Sequence, residues 1–197
     1  MTGASGVQYG LRLLECLIQA DIHVYLMISQ PARVVMSMET DLSLPGRTSE
    51  LARVLTTQCN AAPGQLELFG EQQWTAPVAS GSGAPESMVI CPCTTGTLSA
   101  VAVGASRSLI ERAADVMLKE RRRLIVVLRE TPLSEIHLEN MLRLTRMGAV
   151  MMPANPGFYH RPQRIEDLID FMVARVLDHL SIPQTLLPAW GEWQPDV

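Results

Sequence analysis

The 197-residue sequence is poor in charged residues, aromatic residues and cysteines, and these shortages exclude several classes of protein. Charged residues make up 18% of the chain and hydrophobic residues 47%, a composition that excludes an intrinsically disordered protein. The formal net charge of −4 argues against a general nucleic-acid-binding protein, which would be basic. No apolar run approaches the roughly 20 residues that a membrane-spanning helix needs. We therefore expect neither a nucleic acid nor a membrane as a partner.

The four cysteines do not form a metal-binding pattern. Cys16 and Cys59 stand alone, and one residue separates Cys91 from Cys93, which is too short for a zinc knuckle. The sequence therefore predicts no metal site, and it predicts reduced thiols in a cytoplasmic protein.

Short apolar runs alternate with helix-like segments along the chain. Five runs are nearly continuous, as expected for buried parallel strands: residues 23–28, 66–69, 88–91, 124–128 and 149–152. Segments with apolar residues at helical spacing lie between them. The alternation predicts an α/β fold with a doubly wound parallel sheet. We expect a single domain over residues 1–182 and a tail at 183–197 that packs on a neighbouring subunit.

Two loops have the composition of an anion site. Near the start, Gly3 and Gly6 flank Ser5, and the helix-like run from Val7 to Ala20 follows at once. Glycines allow close backbone approach, and a helix start offers unpaired N–H groups, so we expect a nucleotide or flavin phosphate there. The stretch from Pro92 to Thr97 repeats this order after a predicted strand.

Further polar residues follow the predicted strands. Ser29, Arg129 and Glu130 each come directly after an apolar run. Doubly wound sheets bind ligands at the carboxyl ends of their strands, and an arginine there suits a phosphate. The sequence therefore predicts a phosphate-bearing ligand at this edge of the sheet.

Seven segments together resemble the UbiX family of flavin prenyltransferases, once described as phenylacrylate-type decarboxylases. They occur in unbroken order from residue 1 to about residue 190: MTGASG at 1–6, APVASGS at 76–82, CPCTTGT at 91–97, LIERAAD at 109–115, LRETP at 128–132, HLENM at 137–141 and PANPGFY at 153–159. Residues 41–70 carry no matching motif. The family's first strand, which precedes the Thr-Gly-Ala-Ser loop, has no counterpart here, so we expect the natural protein to begin earlier or its flavin site to be less ordered.

The resemblance implies a fold, an activity and partners. The fold would be a Rossmann-type or flavodoxin-like, three-layer α/β/α domain that assembles as a homododecamer. The activity would be metal-independent transfer of a dimethylallyl group from dimethylallyl monophosphate to reduced FMN, first at N5 and then at C6. The product, prenylated FMN, would serve UbiD-type decarboxylases, for instance in ubiquinone biosynthesis.

The resemblance also implies roles for individual residues. The FMN-binding positions would be Gly3, Ala4, Ser5, Ser29, Thr94, Thr95, Gly96, Thr97 and Arg129. The positions around the dimethylallyl phosphate would be Trp74, Arg112, Lys119, Tyr159 and Arg175. The catalytic positions would be Ser5, Glu39, Glu130 and Lys119, of which Ser5 and Glu39 would handle protons at the flavin.

Those roles agree with the chemistry of an allyl phosphate. Cleavage leaves negative charge on the phosphate, which basic side chains stabilise in place of a metal ion. An aromatic face such as that of Trp74 stabilises the allylic cation, and a carboxylate such as Glu39 or Glu130 accepts the proton lost on ring closure.

Without the family, the same residues have plainer explanations. Arg112 and Lys119 are helix-surface charges with acidic partners three or four residues away, the two carboxylates are solvated, and the aromatic residues are packing residues. Two other functions stay open: a flavin-dependent cysteine-type decarboxylase and a non-catalytic flavin carrier for a decarboxylase.

Overall fold

The computed structural model describes residues 1–42 and 44–191. Within these ranges the chain forms seven α-helices: α1 Val7–Gln19, α2 Gln30–Glu39, α3 Thr48–Gln58, α4 Thr95–Ala102, α5 Leu109–Lys119, α6 Glu135–Arg146 and α7 Ile165–Leu180. It also forms five strands: β1 Val24–Met27, β2 Leu66–Phe69, β3 Ser87–Cys93, β4 Arg123–Leu128 and β5 Val150–Pro153. A short 3₁₀ helix covers Pro77–Ala79. Each of the five predicted strands is confirmed.

Hydroxyl side chains begin several of the helices. Ser29, Ser108 and Ser134 accept hydrogen bonds from the backbone N–H three residues ahead at the starts of α2, α5 and α6. Such N-caps satisfy one of the N–H groups that have no partner inside the helix. The helices therefore start where small polar residues end a strand or loop.

All strand pairs are parallel, and the strands form two sheets. β1 pairs with β2, and β3, β4 and β5 pair in that order. In β4, Ile125 and Val127 pack with α1 and α7, whereas Leu124, Val126 and Leu128 pack with α4, α5 and α6. Helices thus cover both faces, which confirms the predicted three-layer, doubly wound architecture.

Residues Met1 and Thr2 lie between the two sheets at the carboxyl ends of their strands. The Met1 amine donates to Met27 O at 2.7 Å, and Ser29 N donates to Met1 O at 3.1 Å. On the other side, Thr2 N donates to Pro92 O at 3.1 Å. These two residues connect β1 to β3, which are not hydrogen-bonded to each other along the rest of the described chain.

No helix among the described residues is long and apolar enough to span a membrane. The described part of the tail lies on its own chain, since Leu186 packs with the cluster that includes α7, and Gln184 hydrogen-bonds Asp178 at 3.4 Å. Packing of the tail on a neighbouring subunit stays a prediction, and residues 192–197 lie outside the described part of the chain.

Candidate functional site

The first loop brings Gly3 close to the start of α2. A Cβ atom at Gly3 would lie 2.5 Å from Pro31 Cβ and 2.9 Å from its carbonyl carbon, so only glycine fits between the two segments. Gly6 has a φ of +90° as the residue before α1, a conformation that L-residues with a side chain rarely adopt. Ser5 lies between them and is exposed.

The start of α1 is already occupied by a carboxylate. Gly6 N and Val7 N donate to Glu39 Oε2 at 2.9 and 3.1 Å. A negative charge of the protein itself thus takes the position at these two N–H groups, and the phosphate expected at the first loop stays a prediction. The contact places Glu39 one residue from Ser5, so the structure brings the two predicted proton-handling residues together.

Thr2 joins the first loop to the second. Its hydroxyl donates to Pro92 O at 3.0 Å and accepts from Thr94 N at 2.8 Å. The side chain is buried, and with Ser29 it is one of two buried polar residues in the described ranges. We did not single out Thr2 from the sequence; a hydroxyl between the apolar Met1 and the Gly3 turn is the signal that marks it.

The second loop is the start of a helix. Thr94 caps α4 by accepting from Thr97 N at 3.1 Å, and its hydroxyl lies 3.0 Å from the Thr97 hydroxyl. Thr95 and Gly96 occupy the first turn, where backbone N–H groups have no partner inside the helix. In contrast to α1, no side chain of the described residues accepts from these two N–H groups, which leaves them available to an anion.

Arg129 and Glu130 follow directly after β4. Arg129 N donates to Cys93 O at 3.2 Å, which holds the residue beside the Thr94–Thr97 turn. Its side-chain Nε is buried and has no hydrogen-bond partner among the described residues, a costly state unless a ligand supplies an acceptor. Glu130 accepts from Thr131 N at 3.1 Å and lies 3.5 Å from the Thr95 hydroxyl.

Together these side chains form one edge, which we call the rim: Thr2, Ser5, Ser29, Glu39, Thr94–Thr97, Arg129 and Glu130. Ser29 lies in it as the buried cap of α2, with its Oγ accepting from Ala32 N at 3.1 Å. Trp74 follows β2 at the same end of the sheet and is 45% exposed. The predicted FMN-binding residues are thus gathered at the carboxyl ends of the strands.

The two basic residues of α5 named above lie at different ends of the helix. Arg112, in the first turn, donates from Nε to Ala79 O at 3.0 Å and pairs with Asp115 at 2.8 Å. Lys119 ends the helix and pairs with Glu120. Because β4 begins only four residues later, Lys119 lies at the amino ends of the strands, opposite the rim of its own chain.

Tyr159 and Arg175 lie on the α7 side of the molecule. The Tyr159 ring contacts Phe171 at 5.7 Å and Trp190 at 4.8 Å between centroids, both edge-on. Arg175 is one helical turn beyond Phe171 on the same face and pairs with Asp178 at 2.8 Å. Tyr159 is 53% exposed, so this cluster is open to solvent in a single chain.

The cysteines near the rim are unreactive. Burial raises the pKa of both Cys91 and Cys93 to about 12, so each remains a neutral thiol at physiological pH. Cys91 and Cys93 are thus core thiols. Among the described residues no group of histidines, cysteines or carboxylates could hold a metal ion.

Comparison with known proteins places the chain in a family. The flavoprotein family model matches residues 1–177. The chain is 62% identical to the flavin prenyltransferase UbiX of Pseudomonas aeruginosa over 98% of its length and 92% of the relative's.

Two solved structures are similar over most of both chains. AnUbiX in complex with FMN and dimethylallyl pyrophosphate superposes with a TM-score of 0.86 at 40% identity, covering 98% of this chain and 96% of that one. A dodecameric, FMN-dependent UbiX-like decarboxylase from Escherichia coli O157:H7 gives a TM-score of 0.81 at 35% identity, covering 93% and 97%. The chain therefore belongs to the flavoprotein family and, within it, to the UbiX flavin prenyltransferases.

Proposed function

We propose that this protein transfers a dimethylallyl group from dimethylallyl monophosphate to N5 and C6 of reduced FMN, and that UbiD-type decarboxylases use the prenylated FMN. The buried, unpartnered Nε of Arg129 beside the start of α4 is the observation that carries the proposal. It supplies a fixed positive charge where a phosphate of either ligand is needed.

The rim fits FMN. The N–H groups of Thr95 and Gly96 and the Thr97 hydroxyl offer donors to a phosphate at the start of α4. A Cβ atom at Gly96 would meet only Thr94 Oγ1, at 3.9 Å, so the backbone there is accessible to a ligand. When bound, reduced FMN supplies the nucleophilic N5 and C6 atoms.

The allyl phosphate site needs more than one chain. Lys119 lies at the far end of α5 from the rim of its own chain, and Tyr159 and Arg175 form an exposed cluster on α7. We infer that neighbouring copies in a homo-oligomer bring these groups to each other's rims. The dodecameric state of the Escherichia coli relative supports this arrangement.

Different residues would stabilise the charges and accept the proton of this reaction. When the carbon–oxygen bond of the allyl phosphate breaks, the phosphate leaves with the electron pair, and Arg129, Lys119 and Arg175 stabilise its charge. The face of Trp74 stabilises the cationic allyl fragment. Glu39, held beside Ser5 by the start of α1, accepts the proton that ring closure releases.

Location is part of the proposal. All four cysteines are free and buried thiols, which supports a reducing compartment such as the cytoplasm.

One anaerobic incubation tests the activity. The protein is mixed with reduced FMN and dimethylallyl monophosphate without oxygen, and the flavin is extracted for mass spectrometry. We expect a flavin heavier by one C5H8 unit. A folded, FMN-loaded sample that yields only unmodified flavin would leave a flavin carrier as the better explanation.

A further inference from the structure

The side chain of Tyr159 is held by ring contacts alone. Within the described part of the chain no hydrogen bond reaches its hydroxyl. Its ring contacts Phe171 and Trp190 edge-on, with centroids 5.7 and 4.8 Å apart. The position of the hydroxyl is therefore set by how the ring packs.

Of these two partners of Tyr159, Phe171 is the one anchored in the core. Phe171 packs against the buried cluster of α1 and α7 that includes Leu13 and Val173. Trp190, in contrast, is 82% exposed. In a single chain, Phe171 is thus the firm support for the Tyr159 ring.

His160 rests on the same support. Its ring stacks on Phe171 with centroids 5.5 Å apart and 15° between the planes. Both imidazole nitrogens are buried and have no hydrogen-bond partner among the described residues, although buried polar atoms are usually paired. Stacking on Phe171 therefore fixes His160 where hydrogen bonds do not. We call Tyr159, His160, Phe171 and Trp190 the aromatic cluster.

Gly157 lets the two rings close over the backbone. A Cβ atom there would lie 2.8 Å from Tyr159 Cε1 and 3.0 Å from Cε2 and Cζ of Phe171. The φ of Gly157 is not in the left-handed region, so lack of space and not backbone conformation requires a glycine. The approach of Tyr159 to Phe171 is thus built into the chain at this residue.

The backbone between Tyr159 and α7 is also fixed. Arg161 has a φ of +54°, a conformation that non-glycine residues seldom adopt, and its N–H donates to Phe158 O at 3.0 Å. Asp167 of α7 accepts from the N–H groups of residues 163–164 at 2.8 and 3.0 Å. Strained backbone persists where its surroundings hold it, and here the turn folds residues 157–160 back onto α7.

Phe171 and Arg175 lie on the same face of α7, since four residues separate them. The proposed function uses Tyr159 and Arg175 for the phosphate of the allyl donor. A ring that fixes Tyr159 over this face therefore fixes the two donors relative to each other. Groups that are ordered before a ligand arrives lose less conformational entropy on binding.

We propose that Phe171 is a positioning residue for the allyl donor. Its ring fixes the Tyr159 ring, so that the Tyr159 hydroxyl and the Arg175 guanidinium meet one phosphate without being reordered. The inference rests on the proposed function, in which Tyr159 contacts that phosphate. Phe171 acts through Tyr159 and does not itself contact the donor.

The test is a double-mutant cycle on the full-length protein loaded with oxidised FMN, so that binding is measured without prenyl transfer. The parent protein, Phe171→Leu, Tyr159→Phe and the double variant are titrated with dimethylallyl monophosphate by isothermal titration calorimetry. Circular dichroism checks the fold of each variant, and flavin absorbance checks its FMN content.

We expect each single variant to bind the allyl phosphate about tenfold more weakly, the effect of losing one hydrogen bond to a charged group. The double variant should bind as Tyr159→Phe does, because Phe171 acts through the Tyr159 hydroxyl. Phe171→Tyr keeps a ring and should bind as the parent does. Losses that multiply in the double variant would overturn the proposal.

Gly157→Ala is an independent test that leaves Phe171 in place, and it also serves if Phe171→Leu does not fold. The added Cβ displaces the Tyr159 ring, so we expect weaker binding in the parent and no further loss in Tyr159→Phe. Phe158→Leu is the matched control, because this ring is 67% exposed and lies outside the aromatic cluster. An equal loss in Phe158→Leu would overturn the proposal.

The proposed function fails in a different way. A parent protein that binds the allyl phosphate but forms no prenylated flavin would contradict the transfer reaction, while the coupling between Tyr159 and Phe171 would still support the role of Phe171. Product formation together with multiplied losses would contradict the role of Phe171 alone.

Discussion

The carboxyl ends of β1 and β3 differ from their amino ends in how they are hydrogen-bonded to the rest of the chain. At the rim, Thr2 bonds to both the Pro92 carbonyl and the Thr94 amide, and Glu39 takes two N–H groups of α1. Towards the amino ends, the facing backbones of β1 and β3 have no hydrogen bond to each other among the described residues. The hydrogen bonds between the two sheets are thus concentrated at the rim, which is assembled before a ligand arrives.

The largest effect on activity should come from replacing Glu39. Glu39→Gln keeps an oxygen that can accept from Gly6 N but removes the proton acceptor. We expect prenyl transfer to slow by about 10²–10⁴-fold while FMN stays bound, measured by anaerobic single-turnover mass spectrometry. Glu135→Gln, on an exposed part of α6, is the control. Normal turnover of Glu39→Gln would move the proton to Glu130.

Loss of the positive charge of Arg129 should weaken the binding of FMN. Arg129→Met removes the charge at a similar length, and we expect FMN affinity to fall about a hundredfold, since a bidentate arginine–phosphate contact is among the stronger hydrogen bonds. Flavin fluorescence titration measures it. Arg143→Met on the exposed face of α6 should bind FMN as the parent does; an equal loss in both variants would contradict a local role.

Adding a side chain at Gly3, which lies close to Pro31, should destabilise the protein. Gly3→Ala puts a Cβ 2.5 Å from Pro31 Cβ, and overpacking of this kind lowers the free energy of unfolding by about 1–3 kcal/mol. Gly46→Ala is the matched control, because no atom lies within 4 Å of its Cβ position. Urea denaturation distinguishes them, and equal stability of the two variants would refute the close fit.

The smallest effects on stability should come from two hydroxyl side chains, of which Thr2 is hydrogen-bonded and Ser87 is not. Thr2→Val removes both bonds of the buried hydroxyl and leaves Thr94 N without its acceptor, which should cost about 1–3 kcal/mol. The Ser87 hydroxyl at the start of β3 has no hydrogen bond among the described residues, so we expect Ser87→Ala to change the free energy of unfolding by no more than about 0.5 kcal/mol. An equal loss in the two variants would contradict the role of the Thr2 hydroxyl.

Periodicity and turn chemistry were enough to predict the elements of this fold. The run at 124–128 is β4, and the helix-like segment between it and the run at 149–152 contains α6. Such local patterns carry their own structural period. The contact between Glu39 and the start of α1 was different, because it depends on how α1 and α2 lie together.

The role that the family resemblance implies for Lys119 does not fit the position of this residue within a single chain. The residue ends a helix directly before a strand, so the sequence already implies that it lies opposite the carboxyl edge. Its predicted role then needs another copy of the chain, which no pattern within one sequence can place.

The single hydroxyl of Thr2 joins the first loop to the second before any ligand is bound. The conformational entropy of the two loops is therefore lost when the chain folds, and a ligand that enters the rim does not have to order them.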